Sequence, residues 1–176
     1  MTNREKYILS IYEELSDMGK HENVKLVKNT VNDGIYIKKT LKNYNIEIYK
    51  ILKNRQIKGI PKVYEIIEDE KELIIIEEYK HELTLDKKYN KTDVETVKKI
   101  MEQLCNILKQ LHNMNPPIIH RDIKPTNIIV SNDDVVYLVD FNISREYDEN
   151  QSVDTVIMGT QGYASPEQCG FAQTDC

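Results

Sequence analysis

The 176-residue chain carries 24 lysines and arginines against 29 aspartates and glutamates, a net charge of −5, which argues against a dedicated nucleic-acid binder. Hydrophobic residues make up 40% and charged residues 30%, the composition of a globular chain long enough for one domain or two lobes. The most apolar run, Leu73 to Ile76, is closed at once by Glu77 and Glu78, far short of the roughly 20 apolar residues that cross a bilayer.

In chain order, the first third reads as short strands. Residues 24–29 (VKLVKN) and 35–41 (IYIKKTL) flank Asn32-Asp33-Gly34, residues that tolerate the positive φ of a tight reversal, and predict a hairpin. Residues 45–55 place Ile48, Ile51 and Leu52 at helical spacing, so a short helix is expected before Gly59 and Pro61 break it. Residues 62–68 and 72–79 read as two strands around an acidic turn. Thr92 or Asp93 can cap a helix running to about Asn113. Its apolar residues Val94, Val97, Met101, Leu104, Leu108 and Leu111 step by three and four and predict a core-facing stripe. Residues 128–130 and 135–140 then form a second hairpin around the turn 131–134, and 142–158 has the composition of a loop. Strands first and a long helix after them suggest a β-rich lobe joined near Glu78–Lys80 to a helical one. Arg4, Glu5 and Lys6 lead into no signal-peptide core. Cys105, Cys169 and Cys176 lack metal-ligand spacing and read as free thiols of a reducing, cytoplasmic setting.

The charged residues concentrate in IIHRDIKPTNIIV, 118–130. A hairpin over 128–140 brings Asn127 and Asp140 side by side at its open end. An amide oxygen and a carboxylate there suit a hard cation such as Mg²⁺, which takes one or two protein oxygens and completes its shell with phosphates and water. Asp122 on the same loop then faces an incoming nucleophile, and Lys124 can stabilise charge on a transferred phosphoryl group.

HRDIKPTN (120–127) resembles the catalytic loop of the eukaryotic-type protein kinases. DFN (140–142) resembles their metal-binding triplet, and GTQGYASPEQ (159–168) the segment closing their activation loop. Lys124 followed by Pro125 resembles the serine/threonine type, of the bacterial eukaryotic-like kind, rather than tyrosine kinases or small-molecule phosphotransferases. The resemblance runs from about Tyr12 to Gln173. It implies an α+β, two-lobed protein-kinase-like fold. Residues 1–79 would form a β-rich N lobe, a five-stranded sheet plus a short helix, and residues 80–176 the first part of a helical C lobe. It implies ATP and Mg²⁺ as cofactors and a protein substrate bearing serine or threonine, with no nucleic acid and no membrane segment in this chain. Asp122 would orient and deprotonate the substrate hydroxyl, Lys124 would contact the γ-phosphate, and Asn127 and Asp140 would hold Mg²⁺. His120 and Phe141 would pack against each other. Arg121 would be the cation that meets a phosphate on Ser152 or Thr155, and Thr160 would hydrogen-bond toward Asp122 and Lys124.

The N-terminal third matches less closely. The place of the family's glycine-rich loop holds one glycine, Gly19. Either Lys38 or Lys39 can be the lysine that anchors ATP, since strand alternation lets only one face the cleft; K-T-L favours Lys39. Glu47, the only carboxylate between Lys39 and Pro61, is the expected partner of that lysine. Backbone groups of Glu78 and Lys80 would bind the adenine edge. Glu77 stands behind them, either paired with a lysine or as an edge-strand charge. Asn142 replaces a customary glycine, a mild change because Asn tolerates positive φ. The family pattern continues into further helices beyond Gln173. Without them the 93–113 helix would show an apolar face, a surface for a protein partner, and a non-catalytic kinase-like binding module is the alternative reading.

Overall fold

The computed structural model describes residues 1–18, 23–69, 72–89, 91–150, 159–169 and 172–176. Two compact units emerge: residues 1–56 with 61–80, and residues 57–60 with 81–176.

The first unit opens with helix α1 (Asn3–Ser10), which the strand-rich sequence reading did not anticipate. Its signal lies in Thr2-x-x-Glu5. The Glu5 N–H donates to Thr2 Oγ1 (3.2 Å) and the Thr2 N–H to Glu5 Oε2 (2.6 Å), a reciprocal cap that satisfies two otherwise orphaned donors. Strands β1 (Tyr12–Asp17), β2 (Val24–Asn29) and β3 (Ile35–Leu41) follow. Helix α2 (Ile46–Asn54) and strands β4 (Val63–Asp69) and β5 (Glu72–Glu78) complete the unit. The five strands form one antiparallel sheet in the order β1-β2-β3-β5-β4. Leu73, Ile74, Ile75 and Ile76 of β5 are all buried, which is why that strand reads as an unbroken apolar run. Along β3, Ile37, Lys39 and Leu41 are buried, while Tyr36, Lys38 and Thr40 take the other face, as a period of two requires. Asn45 caps α2 by accepting from the Glu47 N–H. The helix buries Ile48, Tyr49 and Leu52 and packs against β4.

The second unit contains β6 (Leu83–Thr84), α3 (Leu85–Lys88), α4 (Val94–His112), β7 (Ile118–Ile119), β8 (Ile128–Val130), β9 (Val136–Leu138) and β10 (Arg145–Glu146). Single 3-10 turns span Pro125–Asn127 and Pro166–Cys169. Strands β6, β8 and β9 form one small sheet, and β7 pairs with β10. Asp93 caps α4 by accepting from the Thr96 N–H at 2.9 Å.

The face of α4 that packs on β7 and β9 is rotated from the expected stripe. Ile100, Leu104, Ile107 and Leu111 are buried, whereas Val94, Val97 and Met101 are exposed. Leu104 and Leu111 belong to both stripes, so spacing alone left the rotation open; the position of the β8–β9 hairpin decides it. Val97 and Met101 line a cavity of about 460 Å³ together with Leu85, Pro125, Thr160 and Tyr163.

Residues 57–60 are tied to this unit through Gly59, whose carbonyl accepts from the Leu138 N–H at 2.8 Å. Gly59 has φ +87°, and a Cβ there would lie 2.4 Å from Ile107 Cδ1. Both effects disfavour a side chain. Gly59→Ala should therefore lower stability by about 1–3 kcal/mol in urea unfolding; an unchanged midpoint would contradict this packing.

Candidate active site

Strand β7 ends at Ile119 and β8 begins at Ile128, and both are buried. The eight residues between them are therefore pinned at each end by apolar burial. His120 fixes the first turn from inside. It is 1% exposed, its ring meets Phe141 edge-on at a centroid distance of 4.7 Å, and its Nε2 lies 3.1 Å from the Val139 carbonyl. The Asp122 N–H donates to its Nδ1 at 3.3 Å. A carbonyl can only accept, so these partners select the neutral imidazole protonated at Nε2. The expected His120–Phe141 contact is present, and Ser144, buried, donates to the His120 carbonyl at 3.0 Å.

Asp122, Lys124, Asn127 and Thr160 form one hydrogen-bonded cluster. Lys124 Nζ stands 2.8 Å from Asp122 Oδ2 and donates to Thr160 Oγ1 at 2.7 Å. The Thr160 hydroxyl donates to Asp122 Oδ1 at 2.6 Å. Asn127 Nδ2 donates to both the Asp122 carbonyl (2.9 Å) and Oδ2 (2.8 Å). Burial pulls the Asp122 carboxyl upward, but hydrogen bonds from Lys124 and Thr160, the Lys124 charge and the Asn127 amide outweigh it and hold it below the ordinary 3.8. Asp122 is thus an anion at neutral pH, ready to accept a hydrogen bond. A lowered native pKa contributes stability that is complete above pH 3.8 and is lost as the pH falls through the native value. Acidification below pH 3.8 should therefore cost Asp122→Asn less stability than wild type. A steeper acid loss in the variant would contradict the lowered value.

Asn127, 6% exposed, spends its amide nitrogen on Asp122, so that its oxygen could meet a cation. Asp140 adopts φ +69°, and its buried Oδ1 has no hydrogen-bond partner. An orphaned buried carboxylate oxygen is costly unless something cationic meets it. The β8–β9 hairpin links the two residues, with Ile128 opposite Leu138 and the Val139 N–H donating to the Asn127 carbonyl at 2.9 Å. One amide oxygen and one unsatisfied carboxylate oxygen fit Mg²⁺ held largely by phosphates. Among the described residues no cluster of three or more His, Cys, Asp or Glu could cage an ion by itself. Arg121 also has positive φ, +68°. Two non-glycine residues in that region within one loop system mark a backbone over-determined by its surroundings. Asn142 is not among the positive-φ residues; the strain falls on Asp140 instead.

Gln168 escaped the sequence reading. It is buried, donates to the Arg121 carbonyl at 2.6 Å and accepts from the Ser165 N–H at 3.1 Å. It therefore ties the 159–169 segment to the loop bearing Asp122. Its signal is only its place after Ser165-Pro166-Glu167. Ser152 and Thr155 lie outside the described residues, as does Gly19.

In the first unit the two candidate lysines separate cleanly. Lys38 pairs with Glu14 at 2.8 Å on the sheet's other face. Lys39 is 7% exposed and lies 2.7 Å from Glu77 Oε1. The expected Lys39–Glu47 pair does not form: Glu47 is exposed and joined to Lys50 at 2.7 Å. The cause is helix rotation, since Ile48, Tyr49 and Leu52 take the buried face. Glu78 closes the β4–β5 pairing, its N–H donating to the Lys62 carbonyl (2.8 Å), and its carboxylate meets Lys80 at 2.6 Å.

The family model described as protein kinase domain matches residues 13–175. Among curated proteins, the chain is 34% identical over 116 residues to serine/threonine-protein kinase D of Synechocystis, covering 62% of this chain and 22% of that protein. It is 33% identical over 120 residues to a probable serine/threonine-protein kinase of Clostridium acetobutylicum, covering 67% of this chain and 18% of that protein. Its fold is similar to that of the Cydia pomonella granulovirus kinase PK-1, with a TM-score of 0.77 and 22% identity over 94% of this chain and 62% of that one. The chain thus spans about a fifth of the length of these two curated relatives.

Proposed function

Because the chain belongs to the protein kinase family, we propose that it transfers the γ-phosphoryl group of ATP to a serine or threonine hydroxyl of a protein. The observation that carries this reading is the Asp122–Lys124–Thr160 cluster, in which an ionised carboxylate and an ammonium stand 2.8 Å apart. Asp122 accepts the proton as the substrate hydroxyl attacks, and its hydrogen bonds hold it in one orientation while it does so. Lys124 offsets charge on the transferring phosphoryl group. Thr160, hydrogen-bonded to both, keeps base and cation at fixed separation. Asn127 and Asp140 would hold Mg²⁺, which would supply charge neutralisation at the phosphates. Lys39 contacts the phosphates, and the backbone of Glu78 and Lys80 takes the adenine edge. The apolar cavity beside Lys124 and Thr160 gives an acceptor peptide room to place a side chain next to the reacting hydroxyl.

Rate enhancement in such a site comes mainly from positioning and fixed charge. The buried flanks of the 120–127 loop hold its charged groups in place. The three cysteines are free and exposed, which fits a cytoplasmic protein, and no helix among the described residues is long and apolar enough to cross a membrane. The second reading is a nucleotide-binding module without transfer, favoured by the single glycine, Gly19, in the place of the family's glycine-rich loop and by Asn142 in place of a customary glycine. A thermal-shift titration with ATP and Mg²⁺ tests binding. Transfer of labelled phosphate to a generic protein tests catalysis. Binding with transfer supports the first reading, binding alone supports the second, and no binding sinks both.

A further inference from the structure

We infer that Glu77 does for Lys39 what the resemblance assigns to a helix glutamate, so that the lysine is anchored inside the sheet and independently of α2. The inference rests on the reading of Lys39 as the nucleotide lysine. Helix α2 has a single carboxylate, Glu47, in its first turn. That carboxylate is exposed and held by Lys50. The positions that α2 turns inward are Ile48, Tyr49 and Leu52, none of which bears a carboxylate. The helix therefore has nothing anionic to offer a buried ammonium.

Strand β5 supplies what the helix lacks. Ile37 lies opposite Glu77, and Lys39 opposite Ile75, in the β3–β5 register. Lys39 and Glu77 are thus diagonal neighbours on one sheet face, within reach for long side chains. Their charged groups approach to 2.7 Å, with side chains only 9% and 12% exposed. A charge so deeply placed is tolerated when paired and penalised when alone. Each residue therefore accounts for the presence of the other.

Both partners sit on adjacent strands of one hydrogen-bonded sheet. Shifting or rotating α2 leaves their separation unchanged. Lys39 stays oriented whatever α2 does, and displacement of that helix cannot serve as an off-switch for this lysine. Glu77 is accordingly a positioning residue acting through Lys39.

The test uses the full chain with Mg²⁺ and the variants E77Q, E47Q and K39M. E77Q should lower kcat at least about tenfold, while affinity for adenosine, which has no phosphates, stays within about twofold of wild type. E47Q should leave both within about twofold. A double-mutant cycle on thermal unfolding should couple K39M to E77Q by at least about fivefold in the unfolding equilibrium, and should not couple K39M to E47Q. Loss of adenosine binding in E77Q would assign Glu77 a merely structural role and overturn the inference. So would a kcat loss in E47Q but not E77Q, or an absent Lys39–Glu77 coupling. Failure of the wild-type chain to bind ATP overturns the proposed function itself, whereas ATP binding with the opposite ranking of variants overturns only the Glu77 assignment.

Discussion

Asp122→Asn should lower kcat for phosphoryl transfer by about 10²–10⁴ while changing ATP affinity by less than about threefold. The variant keeps the size and planarity of the side chain but removes the proton acceptor and the negative charge. Asp122 receives hydrogen bonds from Thr160 (2.6 Å) and Asn127 (2.8 Å) and pairs with Lys124 (2.8 Å). A neutral amide cannot satisfy all three donors, so Lys124 loses its counter-charge and the cluster loosens. In the proposed arrangement Asp122 serves the acceptor hydroxyl and makes no contact with the nucleotide, so ATP affinity should be spared. Steady-state kinetics with ATP varied at saturating acceptor protein separates the two quantities. A large rise in the KM for ATP with unchanged kcat would contradict the role given to Asp122.

The second large effect is expected at Asp140, and stability and activity should move in opposite directions there. Its buried Oδ1 has no hydrogen-bond partner, and its backbone sits at φ +69°. Asparagine tolerates that conformation nearly as well as aspartate, so Asp140→Asn changes the group that carries the unpartnered buried oxygen without adding strain. In the absence of metal the variant should unfold at an equal or higher temperature than wild type. Its Mg²⁺-dependent ATP stabilisation should disappear, and transfer should fall at least about a hundredfold. Thermal unfolding with and without Mg²⁺ and ATP measures both. A variant that is less stable without metal, yet still responds to Mg²⁺, would show that the orphaned oxygen has another purpose.

These effects concentrate in a stretch whose local arrangement was legible from the sequence. HRDIKPTN is local: its charged residues fall within eight positions, and the isoleucines on either side announce burial. Thr160 was expected to reach Asp122 and Lys124, and it does. Four of the five strands, the short helix and the long helix capped near Asp93 were legible for the same reason, since caps, turns and alternation are local physics; strand β1 was expected only through the family resemblance. Alternation also narrowed the proposed nucleotide lysine to Lys38 or Lys39, and the structure puts them on opposite faces, Lys38 against Glu14 and Lys39 against Glu77.

What was not legible depends on how an element is turned about its axis. Glu47 and Ile48 are adjacent in sequence, and only packing against β4 decides which faces inward. Helix α4 poses the same problem on a larger scale. Two stripes share Leu104 and Leu111, and the hairpin that chooses between them arrives more than twenty residues after Leu104. Gln168 and Glu77 act through contacts remote in sequence, 47 residues from Arg121 in the first case, so no local pattern predicts their partners. Helix α1 was missed although its capping box was present, because eight residues with no buried side chain give weak periodicity.

The most direct measurement is phosphoamino-acid analysis of a generic acceptor protein incubated with γ-labelled ATP and Mg²⁺. It should be made with this chain and with the longest protein that contains it, each alongside its Asp122→Asn counterpart. Labelled phosphoserine or phosphothreonine should form with the unsubstituted proteins and fall by at least about a hundredfold in the variants. Binding of ATP and Mg²⁺ with no labelled product from either protein, or product unaffected by Asp122→Asn, would contradict the proposed transfer.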